Sequence, residues 1–281
     1  MNLISQIKEI KKKISGQILF DENLSKHSWF NLGGPAKVIF RPKNLSELST
    51  FLKSIKGINE IKVLGAGSNT LIRDGGYNGV IIKFGKSFSH ISLYDQNTLI
   101  AGAATLDKNV SNFALDNSLS GFEFLSCIPG TIGGAIRMNS GCYGEEVSKI
   151  LLSVQVMDLN GKIRVINSKD IKFSYRECSL DNNLIFVSAT FKGIKKEKKD
   201  IKNKIDKFFF EKKQSQPTRI KTCGSTFKNS KNTKAWKLIK DSNCAGMKIG
   251  DAEISEKHCN FFVNKGKAKS EDLENLIYQV K

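Results

Sequence analysis

The chain has 281 residues, 40% of them apolar, which is enough to bury a core in more than one lobe and excludes a disordered or fibrous protein. Its formal charge of +18 suits an anionic partner, but the lysines occur in every segment, densest at 195–213, and aromatic residues do not interleave with them. A solvated lysine-rich surface is therefore expected rather than a nucleic-acid face.

Residues 1–13 alternate apolar residues with charges and lack the continuous apolar stretch of a signal peptide. No run approaches the roughly 20 apolar residues of a membrane span. The six cysteines form no CxxC pair and do not cluster with the three histidines, so no metal site and no disulfide framework is expected. The expectation is a cytoplasmic protein with reduced thiols.

Short strand-like runs then alternate with short helical patterns in an α+β or α/β rhythm. A capped helix is predicted at 46–55, strands at 61–64, 79–84 and 99–103, and a helix N-capped by Thr105 with Leu106, Val110, Phe113, Ala114 and Leu115 on its apolar side. Residues 151–166 read as a hairpin turning at Asn160-Gly161, a dipeptide that tolerates positive φ angles. A strand at 184–191 precedes an amphipathic helix at 194–213, in which Ile194, Ile201, Ile205, Phe208 and Phe209 lie near helical spacing and the lysines form the wet face. The composition shift at Gly193 and the Gln216-Pro217 break place a second unit from near residue 196 to the end. A last helix is predicted at 270–281, with Ser270 as N-cap and Glu271 and Asp272 in its first turn.

Two small-residue loops carry the first chemical signal. The strand at Val63-Leu64 runs into Gly65, Ala66, Gly67, Ser68, Asn69 and Thr70, where missing side chains let backbone N–H groups approach a phosphate. It is neither the G-x-G-x-x-G fingerprint before a long helix nor a P-loop. The second loop contains Ile128, Pro129, Gly130, Thr131, Gly133 and Gly134, with three glycines allowing close approach to something flat or charged. For each loop the alternative is a tight turn packed against another backbone.

Five segments in order carry a resemblance: Asn31 to Ala36 (NLGGPA), Leu64 to Thr70, Ile128 to Gly144 (IPGTIGGAIRMNSGCYG), Tyr175-Arg176-Glu177 and Gly224 to Asn229 (GSTFKN). From about residue 20 onward the chain resembles the UDP-N-acetylenolpyruvoylglucosamine reductase family. The resemblance implies an α+β fold, with a two-lobed FAD-binding domain of the flavin oxidase type at 1–195, split near 85, and a smaller α+β substrate-binding domain at 196–281. It implies noncovalent FAD held by the two glycine-rich loops, NADPH as co-substrate, and reduction of the enolpyruvyl group of a UDP-sugar to UDP-N-acetylmuramate for peptidoglycan synthesis. No nucleic acid or membrane partner is expected, and a monomer is favoured.

By the same resemblance Arg176 matches the arginine that polarises the substrate carboxylate and Ser225 the serine that gives the proton. Tyr143, Lys228, Asn229 and Lys248 are candidate substrate contacts, Tyr143 being equally well a packed aromatic, and His258 reads as structural. With no spare tyrosine loop between Arg176 and Ser225, the chain fits the shorter branch of the family. The family's C-terminal glutamate has no match, since the sequence stops at Lys281 inside a predicted helix, and C-terminal truncation is the expectation. The alternatives are another FAD-dependent oxidase or dehydrogenase on the same fold, or a flavin-loaded form impaired by the missing glutamate.

Overall fold

The computed structural model describes residues 3–55, 57 and 60–281; Met1 and Asn2, at the start of the segment read for a signal peptide, lie outside the described residues. The chain divides into two compact units that interleave along the sequence. The first comprises Met1–Phe20, Val38–Gly65 and Gly79–Phe209, and the second Asp21–Lys37, Ala66–Asn78 and Phe210–Lys281. The chain passes between the units five times, three of those passages inside strands.

The first unit contains the helices α1 (Leu3–Ile10), α2 (Leu45–Ser54), α3 (Asp107–Asp116) and α4 (Ile132–Arg137), and most of α5 (Lys198–Ser215). Its antiparallel sheet has the strand order 163–167, 151–157, 185–192, 98–102, 91–93. The hairpin between the first two strands is the one predicted, and Gly161 adopts φ +73° in its turn. Both faces of its central strand 185–192 are buried: Ile185 and Val187 enter one apolar core while Phe186 between them enters the other, as the two-residue pleat requires. Val154, Ala189, Phe191, Leu99 and Ala101 pack with α3 and α4, whereas Met157 packs with Ile7, Phe40, Leu48 and Phe51.

A second sheet has the order 17–23, 35–41, 77–82, 61–63. Strands 61–63 and 77–82 are parallel, pairing Ile61 with Val80 and Val63 with Ile82. Parallel neighbours need a crossover. Here that crossover is the glycine-rich segment after Leu64 rather than an α-helix.

Helix starts depart from expectation at two places. The N-cap of α3 is Leu106, because Thr105 turns its hydroxyl to the His90 carbonyl (3.2 Å) instead of to the helix. Residues 194–195 form a short strand with Leu119-Ser120, so Ile194 is exposed and α5 begins only at Lys198. Ile201, Ile205 and Phe208 form the buried stripe of α5, and Phe209 is partly exposed. Nor are all its lysines solvated spectators: Lys204 approaches the buried Glu123 carboxylate (3.5 Å) and Glu145 (3.8 Å).

The second unit is built on a small antiparallel sheet, 248–249, 252–254 and 262–264, covered by α6 (Ala235–Asp241) and α7 (Ser270–Val280). Its core joins Phe30 and Leu32 to Ile239, Ile254, Phe262, Leu273 and Leu276. Ser270 is the first residue of α7 and not its cap; the cap is Lys269, whose N–H donates to Asp272 (2.8 Å). The Ser270 hydroxyl instead accepts from Asp74 N, and Ser270 N donates to the Asp74 carboxylate.

Candidate active site

In the first unit the folding of strands 61–63 and 98–102 brings the start of one glycine-rich loop to the middle of the other. A Cβ on Gly65 would lie 2.6 Å from Thr131 Oγ1, so glycine is needed for this approach. Gly133 lies over Ala103 and donates to its carbonyl (3.0 Å), while Gly134 is exposed. Among the described residues, the N–H groups of Gly130 and Thr131 donate to no protein acceptor.

Two charged groups that sequence reasoning missed flank this junction. Lys83, just past strand 77–82, is half-buried and donates from Nζ to the Gly65 carbonyl (2.7 Å). Burial, reinforced by the neighbouring Arg41 cation, pushes its pKa down. Asp107, the first residue of α3, is completely buried; Gly130 has no room for a Cβ because Asp107 Oδ2 lies 2.6 Å from where it would be. Neither Asp107 carboxyl oxygen has a hydrogen-bond partner, and burial raises its pKa well above the ordinary carboxylate range.

Free N–H donors beside an ammonium without a carboxylate partner suit a phosphate group, so the residues present fit a nucleotide cofactor here.

Arg176 occupies the tight turn between strands 173–174 and 177–178, with φ +61°, a backbone region costly for a non-glycine residue. Its guanidinium donates to the Gly141 carbonyl (2.8 Å) and lies near the Tyr175 ring. Gly141 begins a second hairpin, Gly141–Cys142 with Glu145–Glu146, whose turn residues Tyr143 and Gly144 both have positive φ (56° and 81°). Both being positive marks the mirror-image turn that suits a two-residue hairpin. Tyr143 stacks on Phe208 of α5 (centroids 4.6 Å apart), so its ring is at least partly committed to packing. The buried Asn139 joins the two hairpins by donating to Ser174 O (3.1 Å) and accepting from Ser148 N (3.0 Å).

Arg137, at the end of α4, donates to the carbonyls of Leu180, Asp181 and Leu184 and lies 4.7 Å over Phe186, fixing the segment that follows Arg176.

In the second unit Gly67 (φ +70°) sits on the His27 carbonyl: a Cβ there would come within 1.9 Å of that oxygen. This glycine is explained by backbone packing. The chain around it still offers donors, because among the described residues no N–H from Ala66 to Thr70 donates to a protein acceptor. The loop is held from the Ser225 segment by the Cys223 thiol, which lies 3.4 Å from both Gly67 O and Thr70 O. Burial raises the Cys223 pKa and keeps the donor protonated.

Ser225 is exposed in an isolated bridge with Phe261, and no hydrogen bond of its hydroxyl is present among the described residues. Its segment is clamped by the buried Asn260: Oδ1 accepts from Phe227 N (2.8 Å), Nδ2 donates to Phe227 O (2.9 Å), and the Asn260 carbonyl accepts from Thr226 N (2.8 Å). Lys228 is exposed, and Asn229 accepts from Ala235 N at the start of α6 (2.9 Å). Lys248 pairs with Glu253 (3.2 Å). His258 packs edge-on against Phe261, and burial lowers its pKa, consistent with a neutral, structural role. Glu274 pairs with Arg73 (2.7 Å), and Glu271 is exposed.

No helix among the described residues is long and apolar enough to cross a membrane, and they contain no metal-ligating cluster.

Residues 36–167 match the family model of an FAD binding domain, and residues 216–281 that of the UDP-N-acetylenolpyruvoylglucosamine reductase C-terminal domain. A UDP-N-acetylenolpyruvoylglucosamine reductase of Pelagibacter ubique (strain HTCC1062) is 50% identical over 281 residues, covering 99% of this chain and 93% of that protein. One from a Wolbachia sp. of Drosophila simulans (strain wRi) is 41% identical over 270 residues, 96% and 91% of the two chains. The crystal structure of the Thermus caldophilus enzyme superposes with a TM-score of 0.84 at 30% identity, covering 95% of this chain and 94% of that one. The chain belongs to the UDP-N-acetylenolpyruvoylglucosamine reductase family.

Proposed function

We propose that this protein is an FAD-containing, NADPH-dependent reductase that converts the enolpyruvyl ether of UDP-N-acetylglucosamine to UDP-N-acetylmuramate, acting in the cytoplasm as a monomer. The observation that carries the reading is the 50% identity to such a reductase along 99% of the chain. The geometry supports it: free N–H donors at Gly130-Thr131 and at Ala66–Thr70, and a strained arginine at the position of the family's carboxylate-binding residue.

When bound, FAD would supply the hydride-transfer chemistry between NADPH and the substrate. Gly65 and the loop Ile128 to Gly134 are assigned to this cofactor, together with Ala66 to Thr70. Arg176 presents a permanent positive charge to the substrate carboxylate, whose negative charge grows as the β-carbon takes hydride. Its bond to the Gly141 carbonyl aims the guanidinium before substrate arrives. Ser225, exposed and not committed to another acceptor, delivers a proton to the α-carbon. The Asn260 clamp fixes the backbone on which that hydroxyl is carried. Lys228, exposed three residues on, is assigned to the nucleotide diphosphate; Lys248 and Asn229 would have to share their present partners to join it.

Rapid-mixing absorbance tests the proposal. NADPH bleaches the bound flavin, and anaerobic addition of the enolpyruvyl nucleotide restores its colour. Fast recolouring by oxygen together with indifference to that nucleotide would instead favour an oxidase on the same fold.

A further inference from the structure

The ammonium of Lys83 is half-buried, its pKa is pushed down by burial and by the Arg41 cation, and its one acceptor among the described residues is the Gly65 carbonyl. Among the described residues it makes no ion pair. Arg41, on the adjoining strand, bonds Gln17 from Nη1 (3.2 Å) and leaves its buried Nε without a partner. Lys83 thus holds the Gly65 turn with a second cation, Arg41, acting on it, and among the described residues no carboxylate pairs with either. Desolvating a cation beside a like charge is unfavourable unless an anion is supplied. Holding Gly65 does not explain the charge, because a neutral amide would make the same hydrogen bond.

We propose that Lys83, backed by Arg41, is the cationic seat for the diphosphate of the flavin dinucleotide at Gly65. The proposal rests on the reading of the protein as an FAD enzyme and adds to it the residues that hold the anionic part of the cofactor. The Lys83 side chain also ties the cofactor's charge to Gly65, the glycine that abuts Thr131.

The test is FAD affinity, measured by titrating apoprotein and following flavin fluorescence, for wild type, Lys83→Gln, Lys83→Arg and Arg41→Gln, with apoprotein melting as the control for folding. Gln keeps a donor for the Gly65 carbonyl and removes the charge. The proposal expects Lys83→Gln to bind FAD about ten- to a hundredfold more weakly at unchanged melting temperature, Arg41→Gln to weaken it severalfold, and Lys83→Arg to stay within about threefold of wild type. Wild-type affinity retained by Lys83→Gln overturns it and assigns Lys83 to holding the turn alone. Should Lys83→Gln fail to fold, the wild type carries the test: affinity that falls as chloride rises supports an ionic contact, and affinity flat with salt overturns it. A wild type that binds no FAD fails the FAD reading itself, and the proposal falls with it.

Discussion

Replacing Asp107 with Asn removes one titrating group from the interior while keeping its shape, and the consequence can be worked out from burial. Asp107 is wholly buried, has no hydrogen-bond partner on either oxygen, and has its pKa raised well above the ordinary range by desolvation. In the unfolded chain an aspartate ionises near about 3.9. As pH rises, the unfolded chain therefore gives up this proton first, while the folded protein keeps it. The contribution of Asp107 is at its most favourable below the unfolded pKa and is lost progressively until pH reaches the raised folded-state value. Across that window stability falls by about 1.4 kcal/mol for each pH unit, and Asn does not titrate. Urea unfolding of both proteins, followed by circular dichroism, should show wild type losing stability relative to Asp107→Asn as pH rises through and above the unfolded-chain value. A constant offset between Asn and Asp does not matter, because only the change with pH is read. Parallel stability curves would mean that Asp107 ionises normally in the fold and would refute the reasoning.

Other substitutions test the remaining parts. Gly67→Ala combines a left-handed backbone with a Cβ driven onto the His27 carbonyl, and should cost about 2 kcal/mol or more in unfolding experiments; a neutral effect would contradict the packing described. Asn260→Ala removes both side-chain bonds to Phe227 and should cost about 1–3 kcal/mol in stability, with turnover falling while the flavin spectrum and FAD affinity are kept. Arg176→Met should lower turnover on the enolpyruvyl nucleotide by about a hundredfold or more, as expected for loss of a charge-stabilising group. NADPH should still reduce its flavin at near the wild-type rate.

The elements that follow local chemistry were legible in the sequence. The helix at 46–55 is α2, started by Asn44, whose side chain accepts from Glu47 N, and the 151–167 hairpin turns where Asn160-Gly161 said it would. The two hairpins that frame Arg176 were not legible. Their turns use Tyr143-Gly144 and Tyr175-Arg176, and a tyrosine or arginine at positive φ is specified by tertiary contacts rather than by propensity. The same holds for the supports of the site. Lys83 reaches a carbonyl 18 residues back and Asn260 a loop 33 residues back, so neither carries a local signal. Gly67, expected to serve a close phosphate approach, is required by backbone packing on His27, a contact that no local sequence pattern signals. The interleaving of the two units was hidden because the chain changes unit within strands 17–23, 35–41 and 77–82, with no linker-like composition at the change.

The most direct test of the central claim is the mass of the product formed from the enolpyruvyl nucleotide and NADPH in heavy water. The account predicts a UDP-sugar that has gained two hydrogens, with deuterium at the α-carbon, where the proton is delivered. NADPH consumption with the enolpyruvyl nucleotide recovered unchanged would contradict it.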